Sequence, residues 1–193
     1  MFNINEFKQN GLVAGGARPS LFKVLLTPPG KLGLQQNLSQ QFSFVCRAAE
    51  LPASEVASFD IPYFGRKVKL AGDRTFADWR VTVMNDEDFR MRSMFEYWSN
   101  SINSMESNIR YLTAESYKSP IHIYQYSKDG NIIRGYDMVG AFPTVVDAIS
   151  VDWNSTNQIE EFTVTFSYDY WLPLDEISDI TFFNDATTPK TID

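Results

Sequence analysis

The side chains able to carry chemistry are few and poorly placed for it. His122 is the only histidine and Cys46 the only cysteine in 193 residues. A Ser-His-Asp arrangement would have to use His122, which sits between Ile121 and Ile123 in a segment with strand character. Such an arrangement on an α/β scaffold also needs a Gly-x-Ser-x-Gly nucleophile elbow, and none occurs. His122 reads instead as a strand or interface histidine. Cys46 lies amid Phe44, Val45 and Ala48, the setting of a small buried hydrophobe and not of an activated thiolate. Asp86-Glu87-Asp88 offers three carboxylates in a row, as for a metal or an acid–base pair. It also stands where an amphipathic helix begins, and there negative charge complements the helix dipole. No phosphate-cradling Gly loop or dinucleotide fingerprint is present. A carboxylate pair of the glycosidase kind stays open, because residue order does not show which acids converge. The expectation is a protein with no catalytic residues, no cofactor and no metal.

Composition narrows the remaining classes. The length suits one domain with a substantial core. Aromatic residues make up 15% of the chain, with 15 Phe and 9 Tyr, which favours strands and a packed interior. A formal net charge of −7 argues against a tight, sequence-independent nucleic-acid binder, which needs Lys and Arg to displace phosphate counterions. A lone cysteine leaves no internal disulfide and no Cys-based zinc site. No apolar run approaches the length that spans a bilayer, and residues 1–10 interleave Phe and Ile with Asn, Glu and Lys, unlike a signal peptide. A soluble, cytosol-assembled protein without membrane insertion is the simplest reading.

The elements that would position these residues are mostly strands. Residues 1–16 form an N-terminal arm ending in Gly-rich sequence. Residues 20–27 read as a strand closed by Pro28-Pro29-Gly30, and residues 31–40 as a loop inserted in a hairpin. In residues 41–50, Phe42, Phe44 and Cys46 alternate with Ser43, Val45 and Arg47, which is strand periodicity. Residues 55–61 and the basic segment 63–70 are extended, the latter closing at an Ala71-Gly72 turn. In residues 76–84 Trp79, Val81 and Val83 share one side. Asn85 or Asp86 is a candidate N-cap for a helix whose Met91, Met94, Phe95, Trp98 and Ile102 recur at helical spacing. Strands follow over 120–126, 131–142 and 144–153, the first two joined by a Lys128-Asp129-Gly130 turn. Residues 159–170 alternate most clearly, with Phe162, Val164, Phe166, Tyr168 and Tyr170 opposite Glu161, Thr163, Thr165, Ser167 and Asp169. Residues 172–193 lose periodicity and read as a C-terminal extension to a 17–171 domain. The fold class is mainly β: a sandwich or barrel-like domain with one helix packed on it.

One local charge feature stands out. Arg66, Lys67, Lys69, Asp73 and Arg74 form a basic run on an acidic chain. It suits docking against acidic surface, and equally a solvated edge hairpin whose lysines block aggregation.

The stretch Gly72-Asp73-Arg74-Thr75-Phe76-Ala77-Asp78-Trp79-Arg80-Val81-Thr82-Val83-Met84-Asn85-Asp86-Glu87 resembles the signature of tail tube proteins of contractile-tailed bacteriophages. Further segments resemble the same family in the same order: Ala17-Arg18-Pro19-Ser20-Leu21-Phe22, the run from Phe42 to the Leu51-Pro52 exit, Phe64-Gly65-Arg66-Lys67-Val68-Lys69-Leu70-Ala71-Gly72 leading into the signature, Val151-Asp152-Trp153-Asn154 and Asp169-Tyr170-Trp171. The resemblance departs at residues 27–40 and beyond 171. It implies a β-sandwich-like module whose strands join those of neighbours into a ring, with hexameric rings stacked into a tube. It also implies relatives among type VI secretion inner tubes, and a structural virion protein with no turnover, assembled in the host cytoplasm. The implied partners are the chain itself, the tail sheath, baseplate and tail-terminator proteins, and DNA passing through the lumen unbound. In that setting Arg66, Lys67, Lys69, Asp73 and Arg74 are candidate inter-subunit contacts, and Glu160, Glu161 and Asp169 candidate lumen charges. A tube-initiating baseplate component and a related injection system's inner tube are alternatives within the family. A β-sandwich binding module at a tail tip is the alternative outside it.

Overall fold

A computed structural model describes residue 4 and residues 16–33, 37–110 and 113–174. In chain order it contains β1 (Phe22–Leu26), a 3-10 turn (Gly30–Leu32), α1 (Asn37–Val45), β2 (Cys46–Ala49), β3 (Glu55–Tyr63), β4 (Arg66–Thr75) and β5 (Trp79–Met84). Then come α2 (Arg90–Ile102), α3 (Ala114–Tyr117), β6 (Ser119–Tyr126), β7 (Ile132–Val146), β8 (Glu161–Ser167) and β9 (Tyr170–Leu174). Among the described residues all strand pairs are antiparallel, in the order β1-β6-β7-β8-β5-β2 with β9 also on β7; β3 and β4 pair only with each other.

The long strand β7 organises the sheet. Its first part pairs with β6 on one side and β9 on the other, whereas Phe142 to Val146 pair with β8. The strand therefore carries the chain from one half of the sheet to the other, and the interior lies between them. Val24, Leu26, Ile121, Ile123 and Met138 fill that interior from one half, and Trp79, Val81, Val83, Phe162, Val164 and Phe166 from the other. In β5 burial alternates as the period-two pattern requires.

Helix α2 closes the core with Met91, Met94, Phe95 and Trp98, all buried. The Phe95 ring lies 5.9 Å from Phe166 and 5.8 Å from Phe42, both near perpendicular, the edge-to-face geometry that aromatic quadrupoles favour. Trp98 donates its indole N–H to the Tyr117 carbonyl at 2.8 Å, so its burial leaves no orphan donor.

Several local expectations change. Residues 37–45 are helical where loop and strand were expected, and the strand begins only at Cys46. The reason is spacing: Leu38 and Phe42 are four apart and buried, while Phe44 is 80% exposed, which a strand sharing Phe42 and Phe44 on one face does not allow. No turn forms at Ala71-Gly72; both lie inside β4, at a bulge where the register shifts opposite Val56 and Ser58. Residues 144–146 complete β7, but 147–160 form a loop in which Trp153 is fully exposed. The alternation over 159–170 is split: β8 ends at Ser167, Thr165 on its polar side is buried, and Tyr170 starts a new strand. The acidic cap is displaced too. Asn85 pairs its N–H with the Glu160 carbonyl at 2.8 Å, and the Asp88 carboxylate accepts the Arg90 N–H at 3.0 Å, two residues on. The 1–16 arm lies outside the described residues apart from residues 4 and 16. Leu172 to Leu174, expected in the extension, continue β9 against β7, and residues 175–193 lie outside the described residues.

Candidate assembly interface

Strands β3 and β4 leave the body as a two-stranded ribbon. Its root is fixed by two buried or half-buried tryptophans: Trp79 donates to the Glu50 carbonyl at 2.6 Å and Trp171 to the Ala53 carbonyl at 3.2 Å. Arg74 adds a guanidinium contact to the Ser54 hydroxyl at 3.2 Å. Beyond that root every ribbon residue from Ser58 to Ala71 is exposed.

The register sorts the ribbon into two unlike faces. Phe59 pairs with Leu70, Ile61 with Val68 and Tyr63 with Arg66, so five apolar side chains line one face. Asp60 pairs with Lys69 and Pro62 with Lys67 on the other, where the Lys67 ammonium lies 3.5 Å from the Asp60 carboxylate. A two-stranded ribbon is marginal in water by itself, and here its apolar face covers nothing among the described residues. Among the described residues the sheet also ends in open edges: β1 and β2 each have one partner strand, and β9 pairs only with β7. Such edges present unpaired N–H and C=O groups to an incoming strand.

The structure gathers the five expected contact residues on β4 but divides them. Arg66 belongs to the apolar face near the tip, Lys67 and Lys69 to the polar face, Asp73 to the bulge and Arg74 to the root. The three acids expected on a channel wall are not brought together. Glu161, paired with Arg47 of β2, and Glu160, which accepts from the Asn85 amide at 3.1 Å, lie where β8 begins. Asp169 lies past the other end of β8 and binds the Lys118 ammonium at 2.6 and 2.7 Å.

The side chains considered for chemistry have local roles. His122 faces Asp137 across the β6–β7 ladder, Nδ1 to Oδ1 3.3 Å. Cys46 is buried, and burial pushes its thiol up to about 12. Among the described residues no group of three or more His, Cys, Asp or Glu is placed to hold a metal. The apolar face of the ribbon is what sequence reasoning missed. Its signal was there in Phe59, Ile61 and Tyr63 at period two, answered by Val68 and Leu70 across a two-residue turn.

A family model described as phage tail tube protein matches residues 17–173. The tail tube protein gp19 of Enterobacteria phage T4 is 36% identical over 156 residues, covering 80% of this chain and 90% of that protein. Among solved structures, a chain of the anti-feeding prophage baseplate superposes with a TM-score of 0.60 at 13% identity, over 82% of this chain and 95% of that one. A chain of an extracellular contractile injection system, from its sheath–tube complex in the extended state, gives 0.53 at 14% identity, over 90% and 99%. Those two likenesses show a shared fold. On the family match and the degree of identity to gp19, the chain belongs to the phage tail tube protein family, as a structural component of the tail tube.

Proposed function

We propose that the chain polymerises as stacked hexameric rings around a bore through which DNA passes during infection, with no turnover chemistry of its own. The observation that carries this reading is the ribbon, whose apolar face (Phe59, Ile61, Tyr63, Val68, Leu70) is left uncovered by the described residues of one copy. A second copy covers that face, and the open sheet edges accept strands from neighbours by strand addition. Ring formation of this kind needs one patch docking on a different patch, with a rotation that closes.

Arg66, Lys67, Lys69, Asp73 and Arg74 then lie at or beside contacts between copies. The acidic balance favours a bore that phosphate slides past. Glu161 and Asp169 contribute less free charge to such a wall than Glu160, because Arg47 and Lys118 neutralise them. Tail sheath, baseplate and terminator proteins are the partners in this reading, with assembly in the host cytoplasm before incorporation into the virion.

Negative-stain microscopy and sedimentation of the purified protein from low salt to above roughly 0.5 M test it, since screening should weaken contacts through the basic run. Hollow tubes or rings of constant diameter, less abundant at high salt, support the reading. A monodisperse monomer at every salt concentration overturns it.

A further inference from the structure

We propose that Phe64 is the anchor by which the ribbon tip seats in a second copy of this chain, and that the tip is held in a strained turn to present it. The inference rests on the assembly reading above. Tyr63 pairs with Arg66, so the turn consists of Phe64 and Gly65 alone, with φ of 45° and 77°. A two-residue hairpin turn with both φ positive is the form that Asn-Gly adopts at low cost; a bulky aromatic in the first position is disfavoured. Among the described residues Phe64 gains little in return within one copy. It is 90% exposed, and its ring contact is with Tyr63, centroids 4.6 Å apart and edge-on. A strained backbone and an uncovered ring both work against the isolated subunit, whereas a projecting aromatic is the type of residue that dominates binding energy once it is buried in a partner.

Charge points to a second copy as the occupant. Over the exposed length of the ribbon, residues 58–71, Arg66, Lys67 and Lys69 outweigh Asp60, so a chain of net −7 divides into +2 there and −9 elsewhere. Tip against tip repels. Tip against the remainder of another copy attracts, which makes the contact head-to-tail.

The test uses the full chain with Phe64→Asn, which installs the Asn-Gly pair the turn favours, and Phe64→Leu, which keeps an apolar side chain. Phe64→Asn should raise the melting temperature of dilute, unassembled subunit while raising the concentration needed for assembly by about tenfold or more. Phe64→Leu should assemble more readily than Phe64→Asn. Benzoylphenylalanine at position 64 should photocrosslink to a peptide of a second copy, giving a species of twice the subunit mass. Assembly of Phe64→Asn at the wild-type concentration, or a photocrosslink to added duplex DNA and not to protein, overturns the inference and leaves the tube reading standing. Failure of the wild-type chain to assemble at any concentration overturns both.

Discussion

The carboxylate of Asp169 occupies the space that a side chain at Gly140 would need. A Cβ built on Gly140 would stand 2.9 Å from the Asp169 Cγ, and Gly140 has φ of 71°. Asp169 is held there by its own N–H on the Val139 carbonyl at 3.0 Å and by Lys118. This is the corner where β7 passes from β9 to β8. Gly140→Ala should therefore destabilise the fold by about 1–3 kcal/mol, from the left-handed backbone and the displaced carboxylate together. Thermal unfolding of dilute protein measures it, and a change below about 0.5 kcal/mol would show that the corner yields freely.

Helix α1 separates two phenylalanines that are two residues apart. Phe42 is buried against Phe95, and Phe44 points to solvent. Phe42→Ala should cost about 3–5 kcal/mol and Phe44→Ala less than about 0.5 kcal/mol, read by denaturant unfolding. Similar losses at both positions would restore the strand.

How much of this was legible beforehand depended on what each pattern faces. Strand β5 and helix α2 were readable because Trp79, Val81 and Val83, and Met91, Met94, Phe95 and Trp98, each address one core at a single period. Helix α1 was not, since Phe42, Phe44 and Cys46 mimic alternation while the decisive pair, Leu38 and Phe42, is separated by polar residues. The ribbon was legible as extended, but its charges drew attention away from its apolar face. The partners of Glu161 and Asp169 lie 114 and 51 residues away, at Arg47 and Lys118, and only the folded chain brings them together.

Burial of Cys46 makes a kinetic prediction. With its thiol pushed up to about 12 from an ordinary 9.0, the thiolate fraction at pH 8 falls by about a thousandfold relative to an exposed cysteine. Alkylation of native protein at pH 8 should be slower by about that factor, and denaturant should abolish the difference. The stability sign follows: the raised value favours the folded state below pH 9, and this contribution is lost as pH rises from about 9 toward 12, because the unfolded thiol ionises first. Fast alkylation of the native chain would place Cys46 at the surface.

The ribbon face separates folding from assembly. Ile61 and Val68 face each other across β3 and β4, both half exposed. Ile61→Asp and Val68→Asp should change subunit stability by less than about 0.5 kcal/mol and yet suppress assembly, measured by sedimentation. Loss of subunit stability in step with assembly would mean that the ribbon packs on its own body.

Amide hydrogen exchange across residues 55–75 tests the central claim most directly, compared between dilute subunit and the assembled state. In the subunit the ribbon amides, supported only by one another, should exchange far faster than those of β5 and β8. On assembly they should slow by about a hundredfold or more as neighbouring copies cover the ribbon and complete its hydrogen bonding. Ribbon amides that exchange equally fast in assembled particles would contradict the account.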